Sequence, residues 1–305
     1  MRRIVRALLA SAILAALAWY IWHARQQLAV VFHLDIRYLL PMIAVPLASL
    51  AVNGWIGRDL AAEFGVRLSP LEWYGLAVVN SLGNYLPLPQ AGAMARGVYL
   101  KRVHGLSYAP YAATLVVTYV SAVALYGILG LLGLGILALA GRPAPPLLWG
   151  MFAVLTSSLT LFTPIVKCLP LPKRWTHLGE HLQTLQSRHL IRRIILLQML
   201  LVALTTTGLW LACQTLPDGH GVNWPMALML GLMILASGII NVTPGNVGVE
   251  QGAAEWAARL LHVAPNIGFL ASAIFRAVSV ATILLIGPIF SACLARKPPQ
   301  KIPPV

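Results

Sequence analysis

Long apolar runs separated by short polar stretches dominate this chain, and run length is the first discriminator. About 20 apolar residues cross a bilayer core of about 30 Å. On that measure Ile4 to Trp22, Tyr38 to Trp55, Ala109 to Ala140, Leu147 to Val166, Ile194 to Thr215 and Ile267 to Leu294 read as six full crossings. The first carries the Arg2, Arg3, Arg6 flank of a signal peptide but ends in Trp19, Tyr20 and Trp22 without a small-x-small cleavage site, so it reads as a retained anchor. The third, at about 1.5 Å per residue, reaches about 48 Å and must tilt or protrude. Its Gly127, Gly130 and Gly133 form a small-residue face suited to close helix packing.

Two further apolar runs are shorter and interrupted: Leu71 to Leu86 followed by Ala91 to Val103, and Met226 to Ile240 followed by Val247 to Leu261. Each reads as helix, Pro/Gly break, helix. The breaks are Asn84-Tyr-Leu-Pro-Leu-Pro-Gln-Ala-Gly92, with Pro87, Pro89 and Gly92, and Asn241-Val-Thr-Pro-Gly-Asn-Val-Gly-Val-Glu250, with Pro244, Gly245 and Gly248. Neither arm has a comfortable crossing length, so both read as re-entrant hairpins that enter and leave on one face. The alternative is a pair of kinked crossings. Unpaired backbone groups at membrane depth survive only where they are buried in protein or line a wet cavity, so the two breaks mark the expected transport site.

Composition supports the membrane reading. Of 305 residues, 59% are apolar and 10% charged, with a mean hydropathy of +0.79, whereas a soluble domain carries roughly 25% charged residues. The longest polar connection, around Pro170 to Arg193, is too short for a separate soluble domain. A single membrane domain, 1–305, is expected. The net charge of +14 has no soluble face to serve a nucleic acid, but its placement follows the positive-inside rule. With the N-terminus cytoplasmic, Arg2, Arg3 and Arg6, Arg58 and Arg67, Arg96, Lys101 and Arg102, the basic residues from Lys167 to Arg193, and Arg296, Lys297 and Lys301 all fall inside. Only Arg25, Arg37, Arg142 and Arg259 fall outside. Both termini are then cytoplasmic, in a bacterial inner membrane, and the hairpins enter from opposite faces.

That parity makes the halves inverted repeats, about 38–140 and 194–294. A gap-free offset pairs Asn84 with Asn241, Pro87 with Pro244 and Gly130 with Gly287. The expected fold is all-α: a polytopic membrane protein of six crossings and two re-entrant hairpins, a plan that recurs among secondary transporters. Between the halves, about 170–193, Trp175, Leu178, Leu182 and Leu185 mark an amphipathic helix expected to lie on the inner leaflet with these residues facing lipid.

Few residues are equipped for chemistry. Glu250 follows the second break in apolar sequence, where an ionisable group is costly unless paired or hydrated. It reads equally as a functional carboxylate and as a cap on the second arm. Arg276 lies inside the last crossing and reads as a phosphate ligand or as the partner of Glu250. Arg96 follows the first break and reads as a headgroup ligand or an interfacial anchor. Asn84, Gln90, Asn241, Thr243 and Asn246 offer uncharged donors and acceptors beside the freed backbone. Cys168, Cys213 and Cys293 lie far apart and His177, His181 and His189 lack acidic or thiol company beyond Glu180, so neither metal nor cofactor is expected. No P-loop, G-x-S-x-G or dinucleotide fingerprint appears, which argues against an ATP-driven pump or an enzyme.

Pro244-Gly-Asn-Val-Gly-Val-Glu250, the arm after it and Arg276 resemble the proline-glycine-glycine-x-glycine-x-x-glutamate block and later arginine of the transmembrane, flippase-like domain of lysylphosphatidylglycerol synthases. Leu86-Pro-Leu-Pro-Gln-Ala-Gly92 with Arg96 resembles the corresponding first-half block, and the likeness runs from about Arg37 to Leu294. The chain departs from that pattern with Asn246 and Gln90-Ala91 where the family favours glycine, and with Gln251 at the family's glutamate position, one residue after Glu250. Lacking the soluble aminoacyl-transferring domain, the sequence is expected by resemblance to translocate a lipid or lipid-linked substrate, with an anionic headgroup drawn to Arg96 and Arg276. The competing expectation is a non-transporting scaffold for a lipid- or glycan-synthesis enzyme.

Overall fold

The structure, a computed structural model, describes residues 36–86, 90–141, 145–168, 176–185, 187–217, 219–238, 246 and 248–298. The expected crossing Ile4 to Trp22 and the candidates Pro87, Pro89, Asn241, Thr243, Pro244 and Gly245 lie outside these residues. Ten α-helices and no strand occur among the described residues: α1 (Ile36–Ala62), α2 (Pro70–Gly83), α3 (Ala91–His104), α4 (Tyr108–Leu139), α5 (Pro146–Cys168), α6 (Thr176–Thr184), α7 (Arg188–Gln214), α8 (Trp224–Ser237), α9 (Val249–Leu260) and α10 (Pro265–Ala295). By length and apolarity α1, α4, α7 and Asn266–Ala295 of α10 can each cross a membrane. α5, 23 residues long, covers the expected crossing Leu147 to Val166, and its part Pro146–Ser158 is an apolar helix.

Local chemistry sets where the short helices begin. Pro70 opens α2, where a missing N–H costs nothing. The preceding Ser69 donates from both its backbone N–H (2.9 Å) and its hydroxyl (2.7 Å) to the Glu72 carboxylate, the Ser-x-x-Glu arrangement of a helix start. Asn223 caps α8 by accepting from the Met226 N–H at 3.0 Å. α3 stops at Gly105, whose φ of 70° closes the turn without a Cβ clash.

α2 and α3 fold back on one another. At the tip, a Cβ on Gly83 would lie 2.6 Å from Gly92 Cα, and one on Gly92 would strike the Asn80 carbonyl. At the base, Tyr99 and His104 near the end of α3 reach Glu72 near the start of α2. The two helices are therefore antiparallel neighbours whose tip admits only glycine at its closest approach. α8 and α9 likewise pack together.

The order long, short, short, long thus occurs twice, in α1 to α4 and in α7 to α10. Each set leans on the other: α2 lies on α10, α8 on α4 and α1 on α7. The main core forms where α4, α5 and α7 to α10 meet, around Phe152, Leu209 and Met229. The glycine stripe of α4 serves two neighbours. Gly127 and Gly130 face Thr156 and Phe152 of α5, and Gly133 faces Met229 of α8.

The surface helix departs from expectation. Leu182 on α6 and Leu185 just after it do not face lipid; they are buried with Val52 and Ile56 of α1, Ala113 of α4 and Ile194 of α7. An apolar stripe gains as much from protein as from acyl chains, and here the bundle offers the nearer surface.

Candidate functional site

The two breaks contribute to one cavity. Ser81, Asn84 and Tyr85, from the end of α2 and beyond it, share a pocket of about 200 Å³ with Gly238, Asn246 and Glu250 from the second hairpin and with Ile283 of α10. Asn84 and Asn246 each present to their surroundings a buried side-chain oxygen without a hydrogen-bond partner. Buried polar atoms are almost always satisfied in folded proteins, so these two oxygens call for a polar partner in the pocket, water included.

Glu250 stands in the first turn of α9, and Arg276 approaches it from α10. The guanidinium donates to Glu250 Oε2 at 2.8 Å, with the arginine side chain only 6% exposed and the carboxylate 25%. Of the two readings of Arg276, phosphate ligand or partner of Glu250, this conformation contains the pair. The carboxylate retains access to the pocket and the guanidinium does not line it. Asn246 also holds a side-chain hydrogen bond to Glu250 and donates to the Ser237 carbonyl at 3.5 Å, tying the break back to the end of α8.

The other candidates lie apart from this pocket. Gln90 is the N-cap of α3, and its side-chain oxygen accepts from the Tyr119 hydroxyl at 3.3 Å. It lines a separate apolar groove between α3 and α4. Arg96 sends its guanidinium against Gly57 of α1, so closely that a Cβ on that glycine would overlap it. The Arg96 Nε is buried without a partner, and the groups coupled to its charge are Tyr111 and Tyr119 rather than a carboxylate.

Sequence reading missed the densest polar cluster among the described residues. Glu72, 1% exposed, accepts from Ser69, from Tyr99 (2.9 Å) and from Lys297 (2.9 Å), and lies 3.0 Å from His104 Nε2. It stands in the first turn of α2, outside the four helices able to cross a membrane. Burial alone would push its carboxyl up, but the hydrogen bonds from Lys297, Ser69 and Tyr99 outweigh that and bring it down to about 2. The signal was present: a scarce acid in the motif Ser69-Pro-Leu-Glu72. Ser81, Tyr85 and Gly238 in the pocket carried no such signal.

Across the chain, the family described as "Lysylphosphatidylglycerol synthase TM region" matches residues 6–287. The chain belongs to that family. Neither a curated protein nor a solved structure matches it. Membership together with four membrane-length helices makes the molecule an integral membrane protein of a lipid-related family. Against the lysylphosphatidylglycerol synthase pattern, its two departures from glycine acquire a physical meaning. Gln90 has φ 57° and Asn246 φ 59°, both left-handed. Glycine enters that region freely, asparagine tolerates it, and glutamine does so at a cost of roughly 1–2 kcal/mol. Gln251, at the position of the family's glutamate, is buried and caps α9 by accepting from the Gly248 N–H at 2.8 Å.

Proposed function

We propose that this protein translocates a lipid or lipid-linked substrate across the membrane, its polar headgroup passing through the pocket between the two hairpin tips. The observation that carries the reading is the shared cavity: Asn84 from one break and Asn246 and Glu250 from the other line the same 200 Å³. A polar cleft of that size beside lipid suits a headgroup while the tails remain in the bilayer. In this reading α2–α3 and α8–α9 are re-entrant hairpins of inverted repeats, entering from opposite faces of a bacterial inner membrane with both termini cytoplasmic. The repeated helix order and the reciprocal packing of α2 on α10 and α8 on α4 support it. Glu250 alternates between Arg276 and the substrate. The protein acts without covalent chemistry of its own.

The test is headgroup accessibility in reconstituted vesicles. Glu250→Gln and Arg276→Ala are each expected to abolish most translocation while the purified variants remain monodisperse. Unchanged transport in both removes the mechanism. The scaffold alternative requires the hairpin tips to pack dry; water-borne thiol reagents that react with cysteines placed at Asn84 and Asn246, both lining the pocket, exclude it.

A further inference from the structure

The groove between α3 and α4 has a volume of about 710 Å³, and its walls are almost wholly carbon. Its floor is Ala93 and Gly97. Tyr111 lies across them, its hydroxyl donating to the Ala93 carbonyl at 2.7 Å and its ring resting where a Gly97 Cβ would be. Tyr111 acts as a wedge that holds the two helices apart. Met94, Val98 and Leu115 line the opening, and the first two are about half exposed. A gap of this kind stays dry, because water needs polar partners it does not offer. Left empty, it would forfeit the dispersion contacts of every wall atom.

Its length and its ends identify what fills it. From Tyr108 to Tyr119 the α4 wall runs about 16 Å at about 1.5 Å per residue, close to half of a roughly 30 Å hydrocarbon core. That is the depth of one leaflet. At the Tyr108 end Lys101 Nζ sits 4.2 Å from the ring centroid, and Lys101 and Arg102 are both exposed. A tyrosine beside cations is the composition of a membrane–water boundary that attracts anionic headgroups. At the other end the Tyr119 hydroxyl meets Gln90 and the groove closes.

We infer that this groove is a binding site for one acyl chain of an anionic phospholipid drawn from the leaflet at the Tyr108 end, its phosphate held by Lys101. The site is separate from the pocket between the hairpin tips and goes beyond translocation: it binds lipid whether or not the protein moves it.

The experiment uses the full chain in phosphatidylcholine vesicles doped with phosphatidylglycerol carrying a photoactivatable acyl chain, with adducts mapped by peptide mass spectrometry. The matched probe is phosphatidylcholine with the same chain. Adducts are expected on Met94, Val98 and Leu115 well above those on Val154, an exposed residue of α5 that serves as the reference for bulk lipid. They should fall by about fivefold for Lys101→Gln, the effect of losing one surface cation of about 1 kcal/mol. Val98→Trp, which fills the groove, should remove the Met94 adducts and spare those on Val154. Since Lys101 is exposed, Lys101→Gln keeps the fold and tests the site even if Val98→Trp does not. Equal labelling of the groove and Val154, or equal labelling by both probes, overturns the proposal. Translocation is not part of the readout, so a failure here is distinguishable from a failure of the transport mechanism.

Discussion

The helix pairs α3–α4 and α9–α10 occupy corresponding places in the two halves but handle buried charge in opposite ways. In α9–α10, Glu250 and Arg276 neutralise one another, and Gly268 brings α10 so close that a Cβ there would strike the Ala254 carbonyl. In α3–α4 the constant offset places Tyr111 where the other half has Gly268, and Tyr119 where it has Arg276. A ring replaces a hydrogen atom and the helices part. The cation of the first half, Arg96, turns away to Gly57 with no carboxylate to meet it among the described residues. One half closes around its charge pair and the other remains open beside lipid. Gly268 thus accompanies close packing in one helix pair, and Tyr111 an open groove in the other.

The strongest way to break this contrast is to remove one partner of the pair. Arg276→Ala leaves the Glu250 carboxylate without its cation in a partly accessible polar pocket and is expected to cost about 3 kcal/mol, the lower end for breaking a buried pair, read as a large drop in thermal stability in detergent. Glu250→Gln combined with Arg276→Gln should recover much of that loss. The matching change in the first half, Arg96→Gln, should be far milder, since it strands no opposite charge; an equal loss from both would erase the distinction.

Comparable in size is closing the difference in helix spacing. Gly268→Leu drives a side chain into the Ala254 backbone and should cost about 3 kcal/mol, at the upper end of overpacking penalties. Tyr111→Leu, which removes a wedge from a groove with room to spare, should cost visibly less in the same melting assay.

The bases of the hairpins differ as well. The first is tied by Glu72, whereas α8 begins on the uncharged cap Asn223. Glu72→Gln should lose about 1.5–3 kcal/mol, the range for hydrogen bonds to a charged group. A carboxyl held below its ordinary value adds stability that is fully present above about 4.5 and disappears as pH falls towards 2. The parent protein should therefore lose stability more steeply than Glu72→Gln on acidification through that window. The smallest effect is expected at the tip of the first hairpin: Gln90→Gly relieves a left-handed glutamine and should stabilise by about 1 kcal/mol at most. The same change at Asn246 should do less.

Much of this architecture is legible in the chain. Apolar runs locate α1, α4, α7 and α10, because crossing a bilayer imposes a length no soluble fold requires. Proline and glycine locate both breaks, because lipid forbids unpaired backbone. The site is only half legible. Glu250 and Arg276 stand out as rare charges in apolar sequence, and their pairing follows once α9 and α10 are antiparallel. Arg96 reads identically in sequence, yet its surroundings depend on Gly57, a residue from a distant helix that no local pattern links to it. The fate of Leu182 and Leu185 was hidden for the same reason: amphipathic spacing reveals that a face is apolar but not whether lipid or protein will cover it. The open groove depends on what Tyr111 meets across the helix pair, and no run length or motif encodes that.

The bond between Lys297 and the Ser69–Glu72 turn has a consequence for how the molecule is made. During synthesis Lys297 emerges 228 residues after Ser69, so the opening hairpin must wait, its acid lacking that ammonium, until the final helix has been threaded. Biogenesis of the early half therefore stays provisional until the last segment fastens it, and a nascent chain stalled before that moment offers quality-control proteases an unfinished seam.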